Sequence, residues 1–214
     1  VRLSFSTLLK GDMAALARLS RVGAWRGARA VAPCGPMRYE VPKVLARSLA
    51  TTVNAKIEYD EVKSALRAWC DGIVDIGKVY QEGGDYRAKA KEMIEANYAI
   101  SHDHGEGNQI LFKPTKASEH PFRSSFDEFV SYFCSDGMYS EDGGFAIAPW
   151  TKIRFDMYGV YITDASATVM GHYWFTDLAN TETKVEYTFQ FVRVANPAGK
   201  LKIVLHHSSI PFSP

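Results

Sequence analysis

Imidazole and hydroxyl side chains follow one another near the carboxyl end of the chain, where a strand pattern calls for apolar residues. Segment 201–205 has apolar residues at alternate positions, and the next four residues are His206, His207, Ser208 and Ser209. If those apolar residues face the core, a strand period of two sends His207 and Ser209 to the same side. His206 and Ser208 then lie on the opposite face, and both pairs stay candidates for the wall of a pocket.

Three further hydroxyl groups stand at positions where the pattern is otherwise apolar. Thr115 follows Pro114, Tyr132 lies within a predicted helix, and Tyr173 lies in the middle of a predicted strand. Each of them alone is most simply a packed aromatic ring or a turn hydroxyl. Together with the histidines and serines near the C-terminus, they predict a cavity lined by phenol, hydroxyl and imidazole. Such a cavity suits a small polar anion better than a large apolar ligand.

The segment His102-Asp-His104, with Glu106 nearby, has a spacing that chelates a metal when the segment is a strand. Here the segment is polar and flanked by glycine, which favours a solvated loop, so we predict no metal site. The three cysteines are far apart in sequence and form no Cys-x-x-Cys pair. That arrangement argues against a zinc knuckle and against a disulfide framework.

The candidate residues need helices and strands to bring them together, and the periodicity of the sequence predicts both. Apolar residues at helical spacing predict three helices. The first predicted helix spans 57–80, with Trp69, Ile76 and Tyr80 in its inward apolar stripe. The second spans 86–97, with Tyr98 on its inward side, and the third spans 125–133, with Ser125 as its N-cap. Segment 109–115 contains a proline and is predicted as an edge strand or a strand end. From Trp150 onward the period becomes that of strands. The predicted strands are 152–158, 160–162, 167–176, 184–194 and 202–208.

Three helices followed by an antiparallel meander of strands make an α+β domain. A long first helix packed on a strongly bent sheet leaves a pocket between the two, an arrangement that resembles the nuclear-transport-factor-2-like cone. We therefore predict that fold, with about three N-terminal helices packed on a strongly bent antiparallel sheet. In this fold the candidate residues, which come from different elements, surround one pocket.

The N-terminal part of the chain differs in composition from the rest. Between Val1 and Thr52 there are nine Lys or Arg residues and only two acids, Asp12 and Glu40, with much Ala and Ser. A basic, Arg-rich and acid-poor N-terminus is typical of organelle transit peptides. We predict a disordered targeting presequence at 1–55, addressed to a plastid (chloroplast) or alternatively to a mitochondrion, followed by one domain at 56–214.

The charge balance of the whole chain bounds its partners. The 214 residues carry a formal net charge of +1 at pH 7, which gives no electrostatic reason to bind nucleic acid or a membrane surface. No apolar run in the sequence approaches the length that spans a bilayer. We predict neither a nucleic-acid partner nor a membrane partner.

Several blocks of the sequence occur in the order in which they occur in a known family. They are Ala68-Trp-Cys-Asp-Gly-Ile-Val74, Ile110-Leu-Phe-Lys-Pro-Thr-Lys-Ala117, Ser131-Tyr-Phe133, Pro149-Trp-Thr-Lys-Ile-Arg-Phe155, Lys184-Val-Glu-Tyr-Thr-Phe189 and Leu205-His-His-Ser-Ser-Ile-Pro211. With these blocks, segment 57–214 resembles the iota-class carbonic anhydrases. The resemblance implies the nuclear-transport-factor-2-like cone, a homodimer, and the reversible hydration of CO2 to bicarbonate.

The resemblance also implies site residues and a cofactor expectation. Family members are described as working without a metal, so we expect no cofactor, with manganese or zinc as the alternative. The family's pocket uses one His and one Ser of the His-His-Ser-Ser block, and strand parity selects the second of each. The block Gly171-His-Tyr-Trp departs from the family, which more often has Asn and a second Tyr or Phe there. The expected catalytic residues are Thr115, Tyr132, His207 and Ser209, and the expected substrate-binding residues are Tyr173, His206 and Ser208.

Two other functions fit the same fold. One is a non-catalytic association module, which assembles copies of a protein and carries no reaction. The other is a dehydratase or isomerase, which needs a carboxylate base or a His–Asp pair in the pocket. The predicted strands offer Glu186 as an acid within a strand, and its parity points away from the core.

Overall fold

The structure of this protein is a computed structural model that describes residues 56–100, 109–194 and 199–213. The predicted presequence at 1–55 and the loop from His102 to Glu106 lie outside these residues. Within the described ranges, no helix is long and apolar enough to cross a membrane.

The first helix, α1, spans Tyr59–Gln81 and presents a stripe of apolar side chains to the rest of the domain. Its buried residues are Val62, Leu66, Trp69, Cys70, Ile73, Ile76 and Gly77. Glu58 and Glu61 form a capping box at its start, which satisfies backbone N–H groups that a helix end leaves open. The predicted stripe is confirmed as far as Ile76. Tyr80, predicted to face inward, is instead 45% exposed.

The other two predicted helices are also present. α2 spans Tyr86–Asn97 and begins after Asp85, whose carboxylate accepts a hydrogen bond from the first turn. α3 spans Phe126–Cys134 and begins after Ser125, the N-cap of a capping box. The last six residues of α3 are all buried, so the helix places the side chain of Tyr132 inside the domain.

The strands form one six-stranded sheet. They are β1 Leu111–Lys113, β2 Lys152–Phe155, β3 Gly159–Ile162, β4 Ser166–Thr176, β5 Glu182–Arg193 and β6 Leu201–Ser209. The order is β1-β6-β5-β4-β2, and β3 also pairs with β4. The α+β prediction and the predicted edge strand are confirmed. The sequence predicts an antiparallel sheet, and four of the strand pairs are antiparallel; the sheet is mixed because β1 lies beside the last strand and runs in the same direction.

One extra residue in β6 decides which of its side chains face the interior. Phe191 of β5 pairs with Ile203, whereas the preceding residue of β5, Gln190, pairs with Leu205. Between these two pairs β6 therefore holds one residue more than β5, which is Val204. Such a bulge sets two residues of one strand against one of its partner, and it changes the face of every residue beyond it.

The bulge reverses the predicted orientation of the polar residues that follow. His206 and Ser208 are 2% and 3% exposed, whereas His207 is exposed and Ser209 is half-buried. The prediction that His207 and Ser209 face the interior is wrong, and the other pair faces inward. A strand keeps its period of two only in a regular ladder, and Val204 interrupts the ladder between β5 and β6.

Aromatic rings fill the space between the helices and the inner face of the sheet. Trp69 of α1 stacks on Tyr173 of β4, with ring centroids 5.6 Å apart. Phe189 of β5 lies edge-on to Trp69 at 5.6 Å, and Phe112 of β1 lies edge-on to Tyr132 of α3 at 5.6 Å. Polar groups among such rings need hydrogen-bond partners inside the protein, because their burial is otherwise costly.

Candidate active site

A small cavity lies among these rings, where α1, α3, β4 and β6 meet the segment after β1. Its volume is ≈ 10 Å³, which is room for about one water molecule. The lining residues are Trp69, Phe112, Thr115, Tyr132, Phe133, Phe145, Tyr173, His206 and Ser208. The walls are thus mainly aromatic, and a few hydroxyl groups and one imidazole converge on the space between them, as in many small-ligand sites.

A series of hydrogen bonds connects α1 to the cavity through His206. The indole Nε1–H of Trp69 donates to the hydroxyl of Tyr98 at 2.9 Å. That hydroxyl lies 2.8 Å from Nδ1 of His206, and the hydroxyl of Tyr173 lies 3.3 Å from Nε2 of the same ring. Both ring nitrogens of His206 therefore have a protein partner.

His206 is enclosed by aromatic rings. Phe189 stacks on the imidazole with centroids 4.0 Å apart, Phe112 stacks at 4.9 Å, and Trp69 lies edge-on at 5.1 Å. Burial disfavours the charged form and holds the pKa of His206 well below its ordinary value, and the neighbouring His207 acts in the same direction. The imidazole is therefore neutral at physiological pH.

Three buried tyrosines belong to the site: Tyr132 and Tyr173 line the cavity, and Tyr98 lies behind His206. Burial is the main cause that raises the pKa of Tyr98, Tyr132 and Tyr173 above the ordinary value. All three phenols are therefore protonated at neutral pH, and each has an O–H that can donate a hydrogen bond. The site consists of neutral donors and contains no phenolate.

Hydroxyl groups from two other elements complete the wall. The Oγ1–H of Thr115 donates to Oγ of Ser208 at 2.8 Å. The backbone N–H of Lys116 donates to the hydroxyl of Tyr132 at 3.4 Å. Thr115 is half-buried while Ser208 and Tyr132 are buried, so the threonine marks the side of the site that is nearest to solvent.

Charged groups hold the loop 114–120, which carries this threonine. The carboxylate of Glu141 accepts from the backbone N–H of Ser118 at 2.7 Å and from those of the next two residues at 2.9 and 2.8 Å. These bonds lower the pKa of Glu141 to about 2. Arg123, which is 1% exposed, pairs with Asp142 at 2.9 Å. Breaking a buried pair of this kind typically costs ~3–5 kcal/mol. Arg123 also donates to Glu141 at 3.2 Å, so the carboxylate that holds the loop is itself fixed.

The structure brings most of the predicted site residues together. Those at the cavity are Thr115, Tyr132, Tyr173, His206 and Ser208. The remaining two, His207 and Ser209, lie on the opposite face of β6. There Oγ of Ser209 donates to the carboxylate of Glu186 at 3.1 Å. The catalytic and substrate-binding roles themselves stay predictions.

Sequence reasoning does not find two residues of this network. It places Trp69 in the apolar stripe of α1 and Tyr98 on the inward side of α2, and it assigns chemistry to neither. The signal that could have found them is their polar atoms, since an inward Trp or Tyr usually needs a partner for its N–H or O–H. Which partner it finds depends on the tertiary structure.

A larger groove of ≈ 690 Å³ lies between α1, α2 and the start of β6. Its lining includes the carboxylates of Asp71, Asp75 and Glu92 and the apolar side chains of Met93 and Phe191. None of the described residues that line it is a His or a Tyr. It shares no residue with the small cavity, and we assign the candidate chemistry to the cavity.

The donor set of the cavity does not fit zinc or manganese. Its lining includes one imidazole and no carboxylate or thiolate, whereas a catalytic zinc site typically has three nitrogen, sulfur or carboxylate ligands from the protein. In the part of the chain that the structure describes, no group of three or more His, Cys, Asp or Glu residues could hold a metal ion.

Comparisons with known proteins point to one family. A family model described as metal-independent carbonic anhydrase matches residues 60–210. A metal-independent carbonic anhydrase from Nostoc sp. (strain PCC 7120 / SAG 25.82 / UTEX 2576) is 36% identical over 174 residues, which cover 79% of this chain and 82% of the relative. The crystal structure of a cyanobacterial iota-carbonic anhydrase complexed with bicarbonate matches with a TM-score of 0.69 at 34% identity, over 76% of this chain and 97% of that chain.

These matches agree with the fold and with the resemblance stated from the sequence. The predicted α+β class agrees with the match to the solved iota-carbonic anhydrase, and the predicted family is confirmed. The matched range contains all the elements that line the cavity, from α1 to β6. The chain therefore belongs to the family of metal-independent, iota-class carbonic anhydrases.

Proposed function

We propose that this protein is a carbonic anhydrase that catalyses the reversible hydration of CO2 to bicarbonate. One observation carries the proposal: neutral hydrogen-bond donors from four separate parts of the chain converge on one buried cavity. These donors are Thr115, Tyr132, Tyr173, His206 and Ser208. The related cyanobacterial protein binds bicarbonate in its crystal structure, and bicarbonate is a small anion of the kind that such donors hold.

The hydroxyl groups stabilise the charge that develops during the reaction. When water adds to CO2, a C–O bond forms, one O–H bond of the water breaks, and negative charge builds on the oxygens of the product. Ser208 and Tyr173 donate hydrogen bonds to those oxygens, and the surrounding rings keep bulk water away. A donor placed in this way typically lowers the activation free energy by ~3 kcal/mol. Because the cavity has room for about one water molecule, its side chains must move apart to admit CO2.

The proton that the water loses leaves on the side of Thr115. A hydroxyl group both accepts and donates, so Thr115 passes a proton from the cavity toward solvent. The hydroxyl of Tyr132 accepts a hydrogen bond from the backbone N–H of Lys116, the residue after Thr115, and it orients the reacting water. His207, one of the expected catalytic residues, is exposed on the other face of β6 and is not among the residues that line the cavity.

A dehydratase or isomerase fits the site less well. Both reactions need a carboxylate or a His–Asp pair that removes a proton from carbon. No carboxylate is among the described residues that line the cavity. Glu186, the in-strand acid considered from the sequence, accepts a hydrogen bond from Ser209 on the outer face.

A stopped-flow assay of CO2 hydration on the full chain tests the proposal. We expect activity above the uncatalysed rate, and the same activity after treatment with EDTA. An inert protein contradicts the proposal and favours a non-catalytic association module. Loss of activity with EDTA, restored by manganese or by zinc, contradicts only the metal-free part.

We further propose that two copies of the chain pair as a homodimer. Support comes from apolar side chains on the outer face of the sheet, where Tyr161 is 72% exposed and Met170 is 56% exposed. Exposed apolar groups that lie close together are typical of protein interfaces. Light scattering tests the pairing: we expect the mass of a dimer, and a Met170→Glu chain of monomer mass. A monomeric parent protein contradicts the proposal.

We also propose that the N-terminal segment 1–55 addresses the protein to a plastid. Its support is the composition, with nine Lys or Arg residues and two acids up to Thr52. Fusion of this segment to a fluorescent protein tests the address in plant cells. We expect fluorescence in plastids; fluorescence in mitochondria or in the cytosol contradicts the proposal.

A further inference from the structure

The hydrogen bonds that reach His206 have one direction, and Trp69 sets it. The indole N–H can only donate, and it donates to the hydroxyl oxygen of Tyr98 at 2.9 Å. Tyr98 has one proton of its own, and its other polar contact is Nδ1 of His206 at 2.8 Å. Tyr98 therefore donates to Nδ1, and Nδ1 carries no proton.

The second ring nitrogen of His206 then carries the proton. A neutral imidazole has one N–H, and with Nδ1 as an acceptor that N–H is at Nε2, 3.3 Å from the hydroxyl of Tyr173. Tyr173 accepts this bond, and its own O–H is then free to donate into the cavity that it lines. Every bond in the series points from α1 toward the cavity.

Reversal of this series would leave a buried proton without an acceptor. If Nδ1 carried the proton, the oxygen of Tyr98 would accept from both Trp69 and His206. The O–H of Tyr98 would then have no acceptor among the described residues. Tyr98 is 0% exposed, so bulk water does not reach its hydroxyl, and an unsatisfied buried donor costs free energy. A doubly protonated imidazole has the same fault.

We propose that Trp69 and Tyr98 are positioning residues that hold His206 as its neutral Nε2–H tautomer, so that the imidazole is a donor toward the cavity and not a base. The consequence for catalysis rests on the proposed function. A proton released from water cannot leave through His206, because the series ends at an indole that donates and cannot accept. The proton leaves instead through the hydroxyl groups at Thr115.

Nitrogen NMR of the full chain with 15N-labelled histidine tests the tautomer directly. Protonated and unprotonated ring nitrogens resonate at well separated shifts. In the parent protein we expect His206 with Nε2 protonated and Nδ1 unprotonated at every pH from neutral to mildly acidic. A protonated Nδ1 in the parent protein overturns the proposal, and this outcome needs no variant that folds.

A Tyr98→Phe variant tests the cause of the tautomer. Loss of the donor to Nδ1 lets the second tautomer form, so we expect the two ring-nitrogen shifts to move toward each other. We also expect kcat to fall up to about tenfold with little change in KM. The matched control is Tyr187→Phe, which removes a hydroxyl that donates to the backbone oxygen of Asp156, outside the series. Unchanged shifts in Tyr98→Phe, or equal changes in the control, overturn the proposal.

The two proposals fail in different ways. The NMR measurement needs no substrate and no activity. A parent protein with the expected tautomer and no CO2 hydration contradicts the proposed function and supports the positioning roles. An active protein with Nδ1 protonated contradicts the positioning roles and supports the function.

Discussion

Two pairs of identical residue types lie one position apart on β6, and their surroundings are opposite. His206 and Ser208 are buried among aromatic rings. Each ring nitrogen of His206 has a hydrogen-bond partner. His207 is exposed, and Ser209 bonds to Glu186 at the sheet surface. The difference teaches that burial inside the domain gives these side chains their chemical role, because the same residue types on the exposed face of β6 are ordinary surface residues.

The largest expected difference between the two pairs is in stability. His206→Ala leaves a cavity among three rings and an O–H of Tyr98 without its acceptor, which together cost ~4 kcal/mol. His207→Ala removes an exposed side chain and changes the free energy of unfolding by less than about 0.5 kcal/mol. Urea unfolding of the two variants measures both values. Equal losses would show that enclosure does not distinguish the pairs.

The serines separate the pairs by activity. Ser208→Ala removes a donor to the developing bicarbonate, and we expect kcat for CO2 hydration to fall about 10²-fold. Ser209→Ala removes a hydroxyl on the outer face, and we expect the parent rate. Stopped-flow assays of both variants, each checked for the parent unfolding midpoint, measure the effect. A loss of activity in Ser209→Ala alone would mean that His207 and Ser209, the pair that strand parity predicts, belong to the active site.

The pH dependence of stability gives a third difference. Burial lowers the pKa of His206 in the folded protein below its ordinary value of 6.5. Below pH 6.5 the unfolded chain takes up a proton that the folded chain refuses. The free energy of unfolding is therefore highest above that pH and falls on acidification, by up to ~1.4 kcal/mol per pH unit.

Unfolding curves between pH 7.5 and about pH 5 measure this slope. Carboxyl groups such as Glu61 and Glu141 contribute little there, because their pKa is 4.5 in the unfolded chain and lower in the folded protein. The slope is expected to disappear in His206→Asn and to remain in His207→Asn. A parent protein whose stability is flat in this window would show that His206 accepts a proton without loss.

The smallest expected effect is the coupling between Thr115 and its serine. Thr115 donates to Ser208 at 2.8 Å, so a double-mutant cycle of Thr115→Val with Ser208→Ala should show a coupling of ~1 kcal/mol in the activation free energy. The cycle with Ser209→Ala should be additive within error. Coupling in both cycles would mean that Thr115 affects the position of β6 and not only its hydrogen bond to Ser208.

Local features of the fold could be predicted from the sequence. The apolar stripe of α1 and the Ser125 cap of α3 depend on residues a few positions apart, and the structure contains both. The order of the elements followed from the change of period after Trp150. The residues Thr115, Tyr132 and Tyr173 were identified because hydroxyl groups at apolar positions need an explanation in any buried element.

The face of β6 could not be predicted in this way, because it depends on pairing between distant segments. The extra residue Val204 lies beside Ile203, whose backbone oxygen accepts from the N–H of Ala99 while its β5 partner is Phe191. The contact between Tyr98 and His206 joins residues 108 positions apart. Periodic patterns and short motifs relate residues that are close in sequence, so they cannot predict a contact between residues so far apart.

Trp69, described above as a ring in the core, also makes the protein its own optical probe. The indole is 1% exposed, lies 5.1 Å from the ring of His206 and stacks at 5.6 Å on Tyr173. Indole fluorescence responds to nearby charge, so the arrival of an anion in the cavity changes the emission of Trp69. Trp174 lies instead beside Arg154 on the sheet and can be replaced by Phe to reduce background. Bicarbonate binding can then be followed by light, without an added label.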